Sequence, residues 1–312
     1  MKKAIGFFIF LLLLLLVVLY FIRSDERVNN SESTVFVKKT EGKYELYRNG
    51  KPFYIQGASG NSHLEELKKS GANTFRVYDT VNIKSVLDKA LKLDLVVIVD
   101  LMLPRFKGSE EYYKNDTTRN ELKSNILKVV EGNKNHPALL MWNFNEIEYP
   151  HQIKYNYFRT FFGDVVDEIH NIDTNHPIST SVAGINKRQL LSLKLWCPQL
   201  DLISINVFRA LSNLQEEFDK FSFIWDGAYY LSEWGVNGPW EESKSTMWGA
   251  PIEMTSTQKA KQIKNRYDKF VPKKDDNRCL GNLIFFWGQK QERTQTWFSL
   301  FADIITPAAC LP

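Results

Sequence analysis

Along most of its length the chain alternates between short, almost wholly apolar runs and longer stretches whose apolar positions fall at helical spacing. The clearest run is Leu95-Val96-Val97-Ile98-Val99-Asp100-Leu101, the composition of a parallel strand covered on both faces. Just before it, Ile83, Val86, Leu87 and Ala90 share one face of a helix predicted over 82–93. The same succession repeats. It predicts strands at 53–57, 73–78, 95–101, 139–145, 177–182, 202–207, 228–231 and 282–287. Helices are predicted at 63–70, 82–93, 120–131, 155–171, 187–195, 215–220 and 256–270, with Gly71 placed to stop the first. Eight strand units separated by helices predict an all-parallel sheet closed on itself, a (β/α)8 TIM barrel of the α/β class. Ahead of it, residues 44–55 carry two alternating runs around Asn49-Gly50, the signal of a short β-hairpin.

The two ends depart from this pattern. Residues 4–22 are an almost unbroken apolar run after Met1-Lys2-Lys3, long enough to cross a bilayer as a helix. The run ends in Leu19-Tyr20-Phe21-Ile22, without the small residues of a cleavage site, so residues 1–23 read as an uncleaved signal anchor rather than a removed signal peptide. Lys2 and Lys3 would keep the N-terminus in the cytoplasm, which places the barrel outside it, in a periplasm or at the cell surface. Residues 24–34 are polar and read as a linker, and 35–312 as the barrel domain. Only residues 288–312 follow the last strand. No full closing helix is legible in them, so the domain is expected to end truncated or on a divergent tail.

Composition narrows the function. Of 312 residues, roughly 280 remain after the apolar run, the size of one barrel of this kind. The net charge of +4 is mild and its Lys and Arg are interleaved with acids, so nucleic acid is not an expected partner. The five His, at 63, 136, 151, 170 and 176, have no metal-ligand spacing, and there is no phosphate-binding glycine loop. No metal or cofactor is expected. Cys197 and Cys279 each precede a predicted strand, and read as two separate buried thiols or as a bridge. Asn29-Asn30-Ser31 and Asn115-Asp116-Thr117 fit glycosylation sequons.

The candidate chemistry lies in two acids. Glu146 ends Met141-Trp142-Asn143-Phe144-Asn145-Glu146, and Glu233 falls in Tyr229-Tyr230-Leu231-Ser232-Glu233-Trp234-Gly235. Barrel active sites gather at the C-terminal strand ends, a rule that selects Gly57, Arg76, Asp79, Asp100, Asn145, Glu146, Asn206, Glu233 and Trp287. Two carboxyl groups facing one cleft at ~5 Å can cleave a glycosidic bond with retention, one attacking the anomeric carbon while the other protonates the leaving oxygen. With 13% aromatic residues the chain also has rings to spare for stacking on sugars.

These residues resemble the clan of retaining β-glycoside hydrolases built on (β/α)8 barrels, and in particular the barrel domains of glycoside hydrolase family 2. The resemblance runs from about Tyr44 to Phe301. It is carried by His136-Pro137-Ala138-Leu139-Leu140-Met141-Trp142, Asn145-Glu146, Ser232-Glu233-Trp234-Gly235, Gly249-Ala250-Pro251-Ile252-Glu253 and Phe286-Trp287-Gly288-Gln289-Lys290-Gln291-Glu292. It implies Glu146 as acid/base and Glu233 as nucleophile, with Arg76 keeping Glu233 ionised, Asn145 on the sugar 2-hydroxyl and Trp287 under the reacting sugar. Asn206, Asp100 and Trp234 join the expected substrate contacts. Glu148 is either a further contact or a solvated loop acid, Arg76 either serves Glu233 or only pairs with Asp79, and Trp287 either floors the site or plugs the barrel. Clan members carry a Tyr after strand six; here Phe208 stands there, or Asn206 has taken its polar role. Family members with β-sandwich domains ahead of the barrel differ from this chain. The expected activity is hydrolysis of an extracytoplasmic poly- or oligosaccharide; the alternatives are transglycosylation by the same residues and a catalytically idle, glycan-binding barrel.

Overall fold

A computed structural model of the chain describes residues 34–104, 110–146 and 156–301. The predicted anchor 1–23, the linker up to residue 33, the sequon at Asn29 and the last eleven residues, 302–312, lie outside them. Among the described residues no helix is long and apolar enough to cross a membrane.

Three strands come first: β1 (Val35–Thr40), β2 (Lys43–Arg48) and β3 (Lys51–Phe53), an antiparallel sheet in the order β1-β2-β3. The expected Asn49-Gly50 hairpin is its second half, with Arg48 opposite Lys51. Its first half turns at Glu41-Gly42, a signal the sequence reading missed. All four turn residues have positive φ, 51° and 84° at Glu41 and Gly42, 51° and 72° at Asn49 and Gly50. That is the conformation of two-residue turns whose twist matches the strands they join.

Eight parallel strands then close into a barrel: β4 (Ile55–Ser59), β5 (Thr74–Val77), β6 (Val96–Leu101), β7 (Leu139–Phe144), β8 (Ile178–Ala183), β9 (Leu202–Asn206), β10 (Tyr229–Trp234) and β11 (Cys279–Phe285), the last pairing with β4. Around them stand α1 (Leu64–Lys69), α2 (Ile83–Lys92), α3 (Glu110–Lys114), α4 (Asp116–Asn133), α5 (Asn156–Ile172), α6 (Lys187–Trp196), α7 (Leu214–Phe221) and α8 (Ser256–Lys269). Side chains place the helix starts. Asn115 accepts from Thr117 N and Thr118 N ahead of α4, which engages the sequon asparagine as a cap. Thr255 and Gln258 form a capping box ahead of α8.

The barrel interior divides into two levels. At the floor, Val35, Val37 and Leu46 of the small sheet pack with Ile98, Met141 and Leu283 in one apolar cluster. Backbone bonds fasten this plug, from Val35 N to Asn175 O at 2.9 Å and from Tyr44 N to Asn277 O at 2.7 Å. Toward the C-terminal strand ends the buried positions turn polar, with Arg76, Asp100, Asn143, Ser181, Ser204 and Ser232. Cys197 and Cys279 are buried and unbridged.

Two strand boundaries differ from expectation in ways that matter. β10 extends to Trp234, so Glu233 lies within a strand rather than beyond its end. β11 ends at Phe285, two residues before the predicted limit. After it the chain folds back over the mouth: Phe286 N donates to Phe298 O and Leu300 N to Phe286 O, at 3.1 and 3.2 Å. This return buries Trp297 and Phe298 against Phe208, Val236 and Phe285. The stretch in which no closing helix was legible is, through Phe301, a cap on the barrel.

Candidate active site

A cavity of about 760 Å³ opens at the C-terminal strand ends, and both Glu146 and Glu233 line it. Strand alternation sends Arg76, on β5, into the barrel, and its guanidinium organises the site. Its Nε and Nη2 reach the two carboxylate oxygens of Asp100 at 2.9 and 2.7 Å, and its Nη1 reaches Glu233 Oε1 at 3.1 Å. Such a two-pronged, charge-assisted contact fixes the plane of the guanidinium as well as its position. Ser181 Oγ accepts from Nη2 at 3.0 Å, and Asn143 Nδ2 donates to Asp100 Oδ1 at 2.6 Å, which holds the pair from below.

Glu146 is held from the neighbouring side. Asn206 Nδ2 donates to its Oε2 at 2.6 Å, while Ser232 Oγ donates to Asn206 Oδ1 at 2.7 Å. A hydroxyl donating to the carbonyl oxygen sets the amide so that its NH2 faces Glu146. Arg76 Nη1 approaches the same Oδ1 at 3.5 Å, so Asn206 stands between the two acids.

Burial pushes the Glu233 carboxyl up to about 7, and the Glu146 charge adds to that. Arg76, the Tyr78 hydroxyl and Lys290 pull it down without winning. Arg76 thus favours the ionised form of Glu233, as expected, without offsetting the burial. The geometry gives the reason. Asp100 is fully buried and takes two of the N–H groups of Arg76, so much of that positive charge is already matched before Glu233 meets it.

The structure brings Arg76, Asn145, Glu146, Asn206 and Glu233 to one cavity, and moves other candidates away from it. Arg76 does not pair with Asp79 but with Asp100 and Glu233. Asp100, 0% exposed, holds Arg76 and cannot meet substrate. Asn145 lines the cavity, yet its amide is fastened to the backbone of Leu103, accepting from its N at 2.6 Å and donating to its O at 3.1 Å. Trp234 follows Glu233 and so points to the opposite face of the strand. It stacks on Tyr267 of α8 and donates to Asn282 Oδ1, which corrects its assignment as a substrate contact. Trp287 is also outside the cavity: its Nε1 donates to His63 O at 3.2 Å and Phe301 meets its ring edge-on. The ring at the end of the last strand is Phe285, which does line the cavity. Glu148 lies outside the described residues.

Sequence reasoning missed Tyr78. Its hydroxyl donates to Glu233 Oε1 at 3.0 Å, the same oxygen that Arg76 reaches. The phenol absent after the sixth strand thus arrives from the second. The signal was present: Arg76 and Tyr78 are two residues apart, and residues i and i+2 of a strand share a face. Phe208, at the position of the missing Tyr, packs against Phe285 and Phe298 in the mouth.

No family model matches the chain. It is 24% identical over 275 residues to the β-glucuronidase of Mus musculus, a match that spans 76% of this chain and 38% of that protein. Among solved structures it is similar to a β-D-glucuronidase of Dictyoglomus thermophilum, with a TM-score of 0.57, 18% identity, and coverage of 86% of this chain and 50% of that one. It is also similar to a family 2 β-galacturonidase of Eisenbergiella tayi bound to galacturonate, with a TM-score of 0.61, 16% identity, and coverage of 85% and 48%. The chain therefore spans 38% of the curated relative and about half of each solved chain. The resemblance read from the sequence and these likenesses agree on the fold: a closed eight-stranded parallel barrel with surrounding helices, shared with these β-glucuronidases and with a family 2 β-galacturonidase.

Proposed function

We propose that the chain is a retaining β-glycosidase acting by double displacement. The observation that carries this reading is the pair of acids on one cavity, each held by its own donors: Glu233 by Arg76 and Tyr78, Glu146 by Asn206. Ionised Glu233 attacks the anomeric carbon as the bond to the leaving oxygen breaks, and Glu146 gives that oxygen its proton. Glu146 then takes a proton from water, which attacks the same carbon and releases Glu233. Two donors on Oε1 hold the nucleophile still through both steps, so little reorganisation is left for the reaction itself.

The names of the relatives make 4-nitrophenyl β-D-glucuronide and β-D-galacturonide the first substrates to try, beside the corresponding β-glucoside and β-galactoside. Hydrolysis of one of them, with a product first seen as the β-anomer by NMR, supports the reading. An α-anomer as first product, or no cleavage of any β-glycoside, overturns it. Residues 4–22 and Lys2-Lys3 support a membrane-anchored protein with its barrel outside the cytoplasm, and fractionation of cells expressing the full chain tests that part.

A further inference from the structure

The cavity is larger than the catalytic pair requires. Clefts of roughly 300–1,000 Å³ take up drug-sized ligands, so about 760 Å³ leaves room for more than one pyranose ring. On its wall stands Trp240, 65% exposed, the opposite of what a large apolar ring does when it serves only the core.

Trp240 is held in place by its neighbours. It occupies the middle of a short 3-10 turn, Pro239–Glu241. The Glu241 carboxylate accepts from Gly238 N at 2.8 Å and from Arg209 N at 3.0 and 3.1 Å, which joins the loop after β10 to the loop after β9. The indole lies back on Gly238, so close that a Cβ there would fall 2.4 Å from Cε2 and 2.5 Å from Cζ2. Phe208 and Phe298 stand beside it, each with ring centroids 6.0 Å away. The ring is thus supported by glycine backbone and two aromatic neighbours, and the rest of it is left to the cavity.

We propose that Trp240 is a platform for a second sugar unit, and that the substrate is an oligosaccharide or polysaccharide rather than one sugar on a small leaving group. The C–H face of a pyranose is apolar and flat enough to stack on an indole. A ring already fixed by its surroundings loses little freedom on receiving it. Glu241, with both oxygens engaged by backbone N–H groups, positions the platform rather than the sugar. This inference deepens the glycosidase reading and rests on it for the place of the reacting sugar.

The test is calorimetric binding to the full-length chain carrying Glu233→Gln, which separates recognition from turnover. The probes are cellotetraose, laminaritetraose, xylotetraose, chitotetraose and a hyaluronan tetrasaccharide, each with its disaccharide. At least one tetrasaccharide should bind more tightly than its disaccharide. Adding Trp240→Ala, or Gly238→Ala, which displaces the indole without removing it, should weaken that tetrasaccharide at least about tenfold and abolish its advantage in length. Trp240→Phe should retain it within about threefold, with melting curves confirming that all four proteins fold. Three results overturn the platform: no tetrasaccharide exceeding its disaccharide, the advantage surviving Trp240→Ala and Gly238→Ala, or both lengths lost together. Binding that passes this test while the wild type cleaves no β-glycoside would sink the proposed reaction and leave the platform standing.

Discussion

Tyr78 and Glu233 meet at 3.0 Å, the phenol donating to Oε1, the oxygen that also accepts from Arg76. A hydrogen bond to a charged acceptor favours the charged form, so this contact pulls the Glu233 carboxyl toward ionisation against the burial that pushes it up. Tyr78→Phe should therefore raise the Glu233 pKa above about 7 and move the acid limb of the pH–rate profile upward. A shift of about one unit corresponds to a loss of roughly fivefold in kcat/KM at pH 7, narrowing above about pH 9. A uniform loss at all pH values would mean that the phenol binds substrate instead.

Asp100 should act in the opposite sense. Asp100→Asn frees Arg76 from its buried counter-charge and gives more of the guanidinium's field to Glu233, so the acid limb should move to lower pH. The same change breaks a buried pair and should cost about 3–5 kcal/mol of stability. Thermal unfolding and the pH–rate profile, measured on the same preparation, check both halves. An unmoved limb would show that Asp100 only supports the fold.

The raised Glu233 carboxyl also carries a stability consequence. The folded state holds this proton up to about 7, whereas the unfolded chain releases it near the ordinary value of 4.5. The stabilisation is therefore fully present below about pH 4.5 and is lost as pH rises through about 7. The displacement of about 2.5 units corresponds to about 3 kcal/mol. Glu233→Gln, which cannot ionise, should melt higher than the wild type at pH 8 and lose most of that advantage at pH 5. A constant difference between the two pH values would contradict the burial cost assigned to this carboxylate.

The two acids should fail differently. Glu233→Gln blocks formation of the glycosyl-enzyme and should abolish turnover of every substrate. Glu146→Gln should lose most on poor leaving groups, because an activated aryl glycoside needs little protonation. Azide should partly restore its turnover of activated substrates and yield a β-glycosyl azide, since a small anion attacks the intermediate without a general base. Rescue of Glu233→Gln as a β-glycosyl azide, with Glu146→Gln giving the α-glycosyl azide, would exchange the two roles.

Much of this was legible in the sequence because the barrel strands carry their own signature. Val96–Leu101 and Leu139–Phe144 are buried throughout and apolar except at Asp100 and Asn143, and their ends place Asp100 and Asn145-Glu146 toward the mouth. The limits of β11 were less legible. Phe285, Phe286 and Trp287 are equally apolar, so composition gave no reason to end the strand at Phe285. A two-residue overshoot preserved the side-chain alternation but carried the assignment past the turn, from Phe285 to Trp287. Trp234 was misread for a different reason: adjacency to Glu233 in sequence means opposition across the strand. The Glu41-Gly42 turn was hidden because Lys38-Lys39-Thr40 ahead of it lacks the apolar alternation that marks the second hairpin. Tyr78, by contrast, needed only the period-two rule applied from Arg76.

The floor sheet finally sets a direction. β1 begins at Val35, on the face of the barrel opposite the cavity, and is bonded there to Asn175. If residues 4–22 anchor the protein, as proposed, the tether arrives at the closed base, on the side of the barrel away from the cavity. The intervening linker, 24–34, can extend to at most roughly 40 Å. Such an enzyme would work as a fixed-reach tool, grazing glycan at a set height above the membrane and missing both the lipid surface beneath it and polymer beyond the length of its leash.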